Sequence, residues 1–457
     1  MLNLTQERKL NVMLLVTAAG FFMQTLDSTI VNTALPSMAV SLGENPLRMQ
    51  AVVFSYSLMT AVMIPMSGWL ADKFGTRNIF MTAVIIFVAG SLLCAMSPNL
   101  KALVCSRILQ GFGGAMLMPV GRLAVMRNFP DEKFLPALSF MTIPGLVGPI
   151  LGPVFGGFLS DAFSWKLIFL INVPVGIIGA VSAFIFMPND KMTIRRFDIV
   201  GYLLVACSMT TLTVSLNGAD MNMPLGAALG LAAACAISLL LFIAYSVKAK
   251  NPLFPLGMFR INSFAVGITG NFFARIGNSM PYLMPLLFQT NMRYSPTTAG
   301  LLMLPAAISG MLAKKLVTGL ILRCGYRNVL IWNTLLLGAG MGIFATLGKG
   351  SPEWLICAFG LFFGAFNSIQ FTAMNTVTLK DLPKDIASSG NGMLSMIQML
   401  SMGIAVVVAG LVFSVAQSGI SAGNDTTPAF RVTFIFVGAV TALSSLIFAR
   451  LKRDEKS

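Results

Sequence analysis

Asp27 is the one carboxylate that falls deep inside a long apolar run of this 457-residue sequence. Arg107 and Arg275 are the two basic residues that lie comparably deep in runs of their own. A lone charge at the centre of a bilayer costs at least roughly 2.5–3.5 kcal/mol, so residues of this kind have a partner or a function. A carboxylate balanced between burial and a nearby guanidinium can bind a proton on one side of a membrane and release it on the other. The sequence contains no histidine, which excludes a histidine relay and His-ligated metal and leaves proton chemistry to carboxylates. The six cysteines (Cys94, Cys105, Cys207, Cys235, Cys324, Cys357) lie mostly within apolar runs, and none forms C-x-x-C. They read as small core residues, so neither disulfides nor a metal site is expected, and no cofactor.

The elements that must hold these charges are membrane helices. The chain is 56% hydrophobic and 10% charged, against about 25% charged in soluble domains. A single soluble core stops growing beyond roughly 250–300 residues and could not hide this much apolar surface. A window of about 20 apolar residues gives fourteen spans, near 11–34, 49–70, 79–97, 101–124, 134–158, 164–187, 197–217, 224–246, 263–289, 297–320, 326–347, 352–378, 388–416 and 429–450. The first reads as a retained span rather than a signal peptide, since no small-residue cleavage site follows it.

Loop charge tests that count. With the N-terminus inside, 23 of the 31 Lys and Arg fall in the inner pieces, 6 in the outer ones, and Arg107 and Arg275 remain within spans. The inside bias holds from loop to loop, and a wrong span count would invert it partway. The net charge of +15 therefore reads as topology and not as a nucleic-acid surface. Gly75-Thr76-Arg77-Asn78 after span two is echoed by Gly325-Tyr326-Arg327-Asn328 after span ten. That placement suggests two parallel six-helix repeats, residues 1–190 and 251–457, around two inserted helices in 191–250.

Four motifs carry chemistry. The loop after span two contains Gly68, Asp72, Gly75 and Arg77, in which glycines allow close approach and the charges can latch helix ends. In the second copy Leu322 replaces the aspartate, which predicts a weaker latch. Span four reads Arg107-Ile108-Leu109-Gln110-Gly111. Span five carries Gly145, Gly148, Pro149, Gly152, Pro153, Gly156 and Gly157, and steps of three and four give it a smooth face for another helix. Span one reads Leu26-Asp27-Ser28-Thr29-Ile30-Val31-Asn32, and Trp165–Pro174 follows span five.

Together these resemble the major facilitator superfamily, within it the fourteen-span drug:proton antiporters of the EmrB/QacA subfamily. The signature loop, the R-x-x-q-G motif, the G-x-x-x-G-P-x-x-G-G antiporter motif and the L-D-x-T motif all have counterparts, over nearly the whole chain. The resemblance implies an all-α membrane fold of two six-helix bundles plus two central helices, and proton-coupled export of drugs by alternating access. Asp27 and Arg107 would couple protons. The expected setting is the bacterial inner membrane, with both termini cytoplasmic. The expected partners are a small-molecule substrate, protons and lipid, with the chain a monomer, neither an enzyme nor a nucleic-acid binder.

Residues proposed to line the substrate cavity are Gln24 and Asn32 in span one, Asn271, Arg275 and Asn278 in span nine, and Asn367 and Gln370 in span twelve. No acidic residue lies deep in any span of the second half. A cavity with surplus positive charge favours anions, so export of carboxylates or their metal complexes is the second reading. A sensor or channel is a distant third, since neither filter residues nor a soluble domain is visible.

Overall fold

The computed structural model describes residues 6–44, 46–192, 196–216, 218, 223–277, 279–420 and 425–452. Asn278 of the proposed cavity lies outside the described residues, as do the side chains of Pro149 and Pro153. The chain divides into two compact units, one of Met1–Gly257 with Pro383–Met396, the other of Met258–Leu382 with Ile397–Ser457.

The first unit contains α1 (Gln6–Leu42), α2 (Gln50–Met63), α3 (Ser67–Phe74), α4 (Thr76–Met96), α5 (Leu100–Asn128), α6 (Asp131–Thr142), α7 (Pro144–Ala162), α8 (Leu167–Leu170), α9 (Asn172–Phe186), α10 (Ile199–Leu216) and α11 (Leu225–Lys248). Helix is what an apolar chain without water must form, because every backbone group has to be paired within its own segment. Among the described residues α5 is the most enclosed long helix, with 67% of its most apolar window buried, against 17% for α11. Arg107 and Gln110 thus lie on the most enclosed of these helices, and α11 is the most exposed of them. A core of Ile30, Val31, Met38, Leu103, Ile168 and Phe169 fills one end.

The second unit contains α12 (Asn262–Gly277), α13 (Met280–Leu286), α14 (Pro296–Ile343), α15 (Glu353–Leu379), the greater part of α16 (Ala387–Ile420), α17 (Thr427–Leu443) and α18 (Ser445–Phe448). Its core gathers Phe344, Phe363, Phe430 and Phe434, with Phe430 and Phe434 stacked at 6.2 Å. α14 and α17 cross where Gly338 and Gly438 meet; a Cβ on either would stand 2.6 Å from the other's carbonyl oxygen. Outside the spans, Asp425 precedes α17 and accepts from the Thr427 hydroxyl and N–H, which hold its carboxyl below the usual range.

Eleven described stretches are long and apolar enough to cross a membrane. The three further spans read from the sequence are accounted for by breaks. Spans ten and eleven form one continuous helical run interrupted at Gly325, whose φ of 75° and ψ of 157° are not helical. Gly75, its counterpart in the short repeat, has φ 93° and ψ 147°. The two glycines share the left-handed turn that only a residue without a Cβ adopts freely. Span five breaks between α6 and α7, where Pro144 begins α7, and span nine breaks before α13, which carries a proline in its first turn.

The loop-charge reading needs two corrections. Arg122 is fully buried in α5, and Lys314 is 4% exposed within α14. Both cations fall inside the spans read at 101–124 and 297–320 and belong to those helices rather than to the loops that follow them.

Candidate functional site: a buried charge network in the first unit

Asp27 and Arg107 are in contact. The guanidinium NH1 donates to Asp27 Oδ2 at 2.7 Å, and the side chains are 0% and 1% exposed. Gln110, one turn beyond Arg107, donates through Nε2 to Asp27 Oδ1 at 2.8 Å and to Ser91 Oγ at 2.7 Å. Its Oε1 accepts from Arg107 NH1 at 2.7 Å. Asn172, the first residue of α9, donates to Asp27 Oδ1 at 3.2 Å. Arg107 Nε donates to the Val52 carbonyl of α2 at 3.2 Å, and its guanidinium carbon lies 4.3 Å from the Tyr56 ring centroid. Five helices, α1, α2, α4, α5 and α9, therefore meet at one ion pair. The aromatic face and the donors supply what a desolvated pair needs, because Coulomb attraction alone does not offset two buried charges.

The chemical capacity follows from the wiring. An ionised Asp27 answers three side-chain donors. A proton on it removes the charge that holds Arg107, and Arg107 NH1 then keeps Gln110 Oε1 as an acceptor while Nε keeps Val52 O. Gln110 is shared between Asp27 and Ser91, so the change passes to α4. Of these residues, Gln110 could be read from its one-turn spacing and Asn172 from the stretch after span five. Tyr56, Ser91 and Val52 gave no signal, being unremarkable residues in apolar runs.

The glycine-rich α7 lies against the helix that carries Asp27. A Cβ on Gly145, Gly148, Gly152 or Gly156 would meet in turn Phe21, Thr25, Thr29 and Thr33, a four-residue ladder on α1. Thr29 Oγ1 also donates to the Gly148 carbonyl at 3.4 Å. Gly157, grouped with this face in the sequence, has nothing within 4 Å and lies off it.

Of the residues proposed for the latch, Asp72 and Gly68 meet at Ser388. Asp72 forms an ion pair with Arg127 of α5 and accepts from Ser388 Oγ at the start of α16, at 2.5 Å. A Cβ on Gly68 would stand 2.7 Å from the Ser388 carbonyl. Gly75 leaves room for the Asn189 side chain. Arg77 instead lies over Phe184 at 5.7 Å. Deeper in the unit, Arg122 NH1 donates to Asn391 Oδ1 at 3.2 Å, and Asn391 Nδ2 donates to the Pro119 carbonyl at 2.7 Å.

The residues proposed for the cavity are divided between the two units. In the first unit Gln24 is half-buried and Asn32 exposed. In the second, Arg275 Nε donates to Asn271 Oδ1 at 3.2 Å, and its guanidinium lies 4.4 Å from the Phe371 centroid. Gln398, which carried no signal in the sequence, lies 3.5 Å from Asn271 Oδ1 and 2.6 Å from Asn375 Oδ1. Gln370 belongs to a different set with Asn333 and Thr334, each at 2.7 Å, which ties α15 to α14. Asn367 is half-buried. Among the described residues no group of three or more Cys, Asp or Glu gathers into a metal-binding set.

The comparison with known proteins now decides the family. The profile described as Major Facilitator Superfamily matches residues 17–406 and, again, 267–457. The chain belongs to the Major Facilitator Superfamily. It is a multi-pass membrane protein and a transporter, not an enzyme. It is 48% identical over 445 residues to a protein of Escherichia fergusonii named "Putative multidrug resistance protein MdtD", covering 96% of this chain and 94% of that one. A protein of the same name from Pectobacterium atrosepticum is 45% identical over 455 residues, covering 99% and 98%. Among solved structures, the human organic anion transporter MFSD10 (TETRAN) superposes with a TM-score of 0.70 at 12% identity, covering 96% of this chain and 99% of that one. The proton:xylose symporter XylE follows with a TM-score of 0.68 at 13% identity, covering 97% and 95%. At such identities these two structures bear on the superfamily fold alone.

Proposed function

We propose that this transporter is a proton-driven exporter of small amphipathic compounds or drugs, working by alternating access as a monomer. Its setting would be a bacterial inner membrane with both termini cytoplasmic. The working parts would be bundles 1–190 and 251–457 and the inserted helices 191–250. The observation that carries the reading is the fully buried Asp27–Arg107 pair, wired to Gln110, Ser91 and Asn172. Near-full-length similarity to proteins named for multidrug resistance supports the substrate class. Asp27 takes up a proton from outside and releases it inward, Arg107 and Gln110 register its charge, and the Asp72 latch is broken and remade in each cycle.

A second reading, export of organic anions, rests on Arg275, which is 7% exposed in a unit whose described acids Glu353, Asp381 and Asp425 lie at helix ends or beyond them. One experiment separates the two. In proteoliposomes under an imposed pH gradient, a panel of cationic dyes and small carboxylates is offered to wild type and to Arg275→Ala. The main reading expects gradient-driven movement of dyes that a protonophore abolishes. Dye movement indifferent to the gradient contradicts it. Carboxylate transport lost in Arg275→Ala would establish the second reading, and carboxylate transport intact in that variant would remove it.

A further inference from the structure

The two inserted helices are the least explained part of the chain, and their ends converge on the latch. The connection that enters them, after α9, is hydrogen-bonded along the latch. Met192 N–H donates to the Asp72 carbonyl at 3.1 Å, and Thr76 N–H to the Asp190 carbonyl at 3.3 Å. Thr76 Oγ1 donates to the Pro188 carbonyl at 3.3 Å, and Asn128 Nδ2 to Asp190 Oδ2 at 2.5 Å. The connection that leaves them, after α11, packs Phe254 on Phe242 at 6.1 Å and is hydrogen-bonded to one carboxylate. Asp198, 8% exposed, accepts the Gly201 N–H at 2.9 Å and the Tyr245 hydroxyl at 2.8 Å on Oδ1, and the Leu253 N–H at 2.8 Å on Oδ2. It thereby joins the first turn of α10, the last turns of α11 and the exit segment at one point.

The same point rests on the latch helix. Phe197 packs on Trp69 of α3 with ring centroids 4.6 Å apart and on Tyr202 of α10 at 5.5 Å. Trp69 is flanked by Gly68 and lies one turn before Asp72 and Lys73. Asp198 and Leu253 line one pocket of about 270 Å³ together with Asp72 and Ser388, and Trp69 and Phe254 help to wall it. A buried acceptor with three donors is worth more than its separate bonds, because losing it strands donors away from water.

We infer that Asp198 is a positioning residue and that α10 and α11 act as a brace for the latch: Asp198 clamps both ends of the inserted pair against α3 and so sets how readily the Gly68–Asn78 segment opens. The inference rests on reading that segment as the latch of the transport cycle, but its readout needs no transport, so either can fail without the other.

The test is hydrogen–deuterium exchange, followed by mass spectrometry, on the full chain in lipid nanodiscs. Asp198→Asn keeps an oxygen for Gly201 N–H and the Tyr245 hydroxyl but turns a donor toward Leu253 N–H. Its expected signature is exchange about tenfold faster in peptides covering 249–257 and in those covering 67–78, with the first turn of α10 protected as in wild type. Asp198→Ala should free all three regions. Tyr245→Phe, which removes one donor and no charge, should give a smaller rise in the same latch peptides and serves if Asp198→Ala fails to fold. Wild-type exchange across 67–78 in Asp198→Asn, with 249–257 accelerated, would show that the clamp does not reach the latch and would overturn the inference.

Discussion

Replacing Arg107 with alanine is expected to cost this protein most of its stability as well as its transport. The substitution leaves Asp27 among Gln110, Asn172 and apolar side chains with no counter-ion, at 0% exposure. Breaking a buried ion pair from one side costs about 3–5 kcal/mol, whereas replacing both partners by neutral groups is often close to neutral. The double variant Asp27→Asn/Arg107→Met should therefore recover near-wild-type thermal unfolding in detergent, because the amide oxygen introduced at position 27 can still accept from Gln110 and Asn172. It should remain inactive in transport. This contrast separates the two roles of the pair, since recovery of fold without recovery of export means that the charge itself serves the cycle. A single Arg107→Ala variant that melts like wild type would show that Asp27 does not depend on that guanidinium.

Gly152→Leu is expected to abolish transport while the chain still inserts and folds. A Cβ there would meet Thr29 Oγ1 first and would stand 2.9 Å from the Thr29 Cβ and 3.0 Å from the Ile30 nitrogen, so even with the hydroxyl turned aside the Cβ and backbone of α1 remain in the way. Three further carbons force α1 and α7 apart, an overpacking cost of typically 1–3 kcal/mol. Thr29 lies two residues from Asp27, and the shift falls on the helix that must hold a 2.7 Å contact with Arg107. Transport should drop by more than tenfold, since misplacing a working group by about 1 Å can cost a hundredfold. Gly157→Leu is the matched control, because nothing lies within 4 Å of its Cβ position and its added carbons have room. If the two leucine variants behave alike, close approach at this face does not matter to the cycle.

Much of this site was legible in the sequence for a physical reason. A charge in an apolar run is expensive, so Asp27 and Arg107 stood out without any knowledge of contacts. Steps of three and four put Gly145, Gly148, Gly152 and Gly156 on one side of a helix, and the α1 ladder meets them there. Gly157 was misassigned because a residue adjacent to Gly156 lies about 100° further round the helix. The Gly75 and Gly325 echo was readable because a backbone turn of positive φ favours glycine wherever it occurs.

What stayed hidden depends on which helices become neighbours. Nothing about Ser91 or Tyr56 in their own runs says that they border Arg107 and Gln110. Asn391 lies 269 residues from Arg122, and no periodicity joins them. Gln370 was placed with Arg275 because both are polar residues in spans of the second half. The packing of α14 on α15 gives it to Asn333 and Thr334 instead. Arg122 and Lys314 were counted with the inner loops although both fall inside the spans read at 101–124 and 297–320, because a cation in the last third of a span was given to the loop that follows it; here both lie within helices and are buried.

Whether substrate moves a proton on Asp27 can be asked directly. Purified protein in weakly buffered detergent solution, with a pH indicator present, is mixed with a transported compound and the protons released per chain are counted. Coupling through Asp27 predicts release from wild type and none from Asp27→Asn, which should still bind the compound. Equal release from both proteins would place the coupling proton on some other group and contradict a coupling role for the Asp27–Arg107 pair.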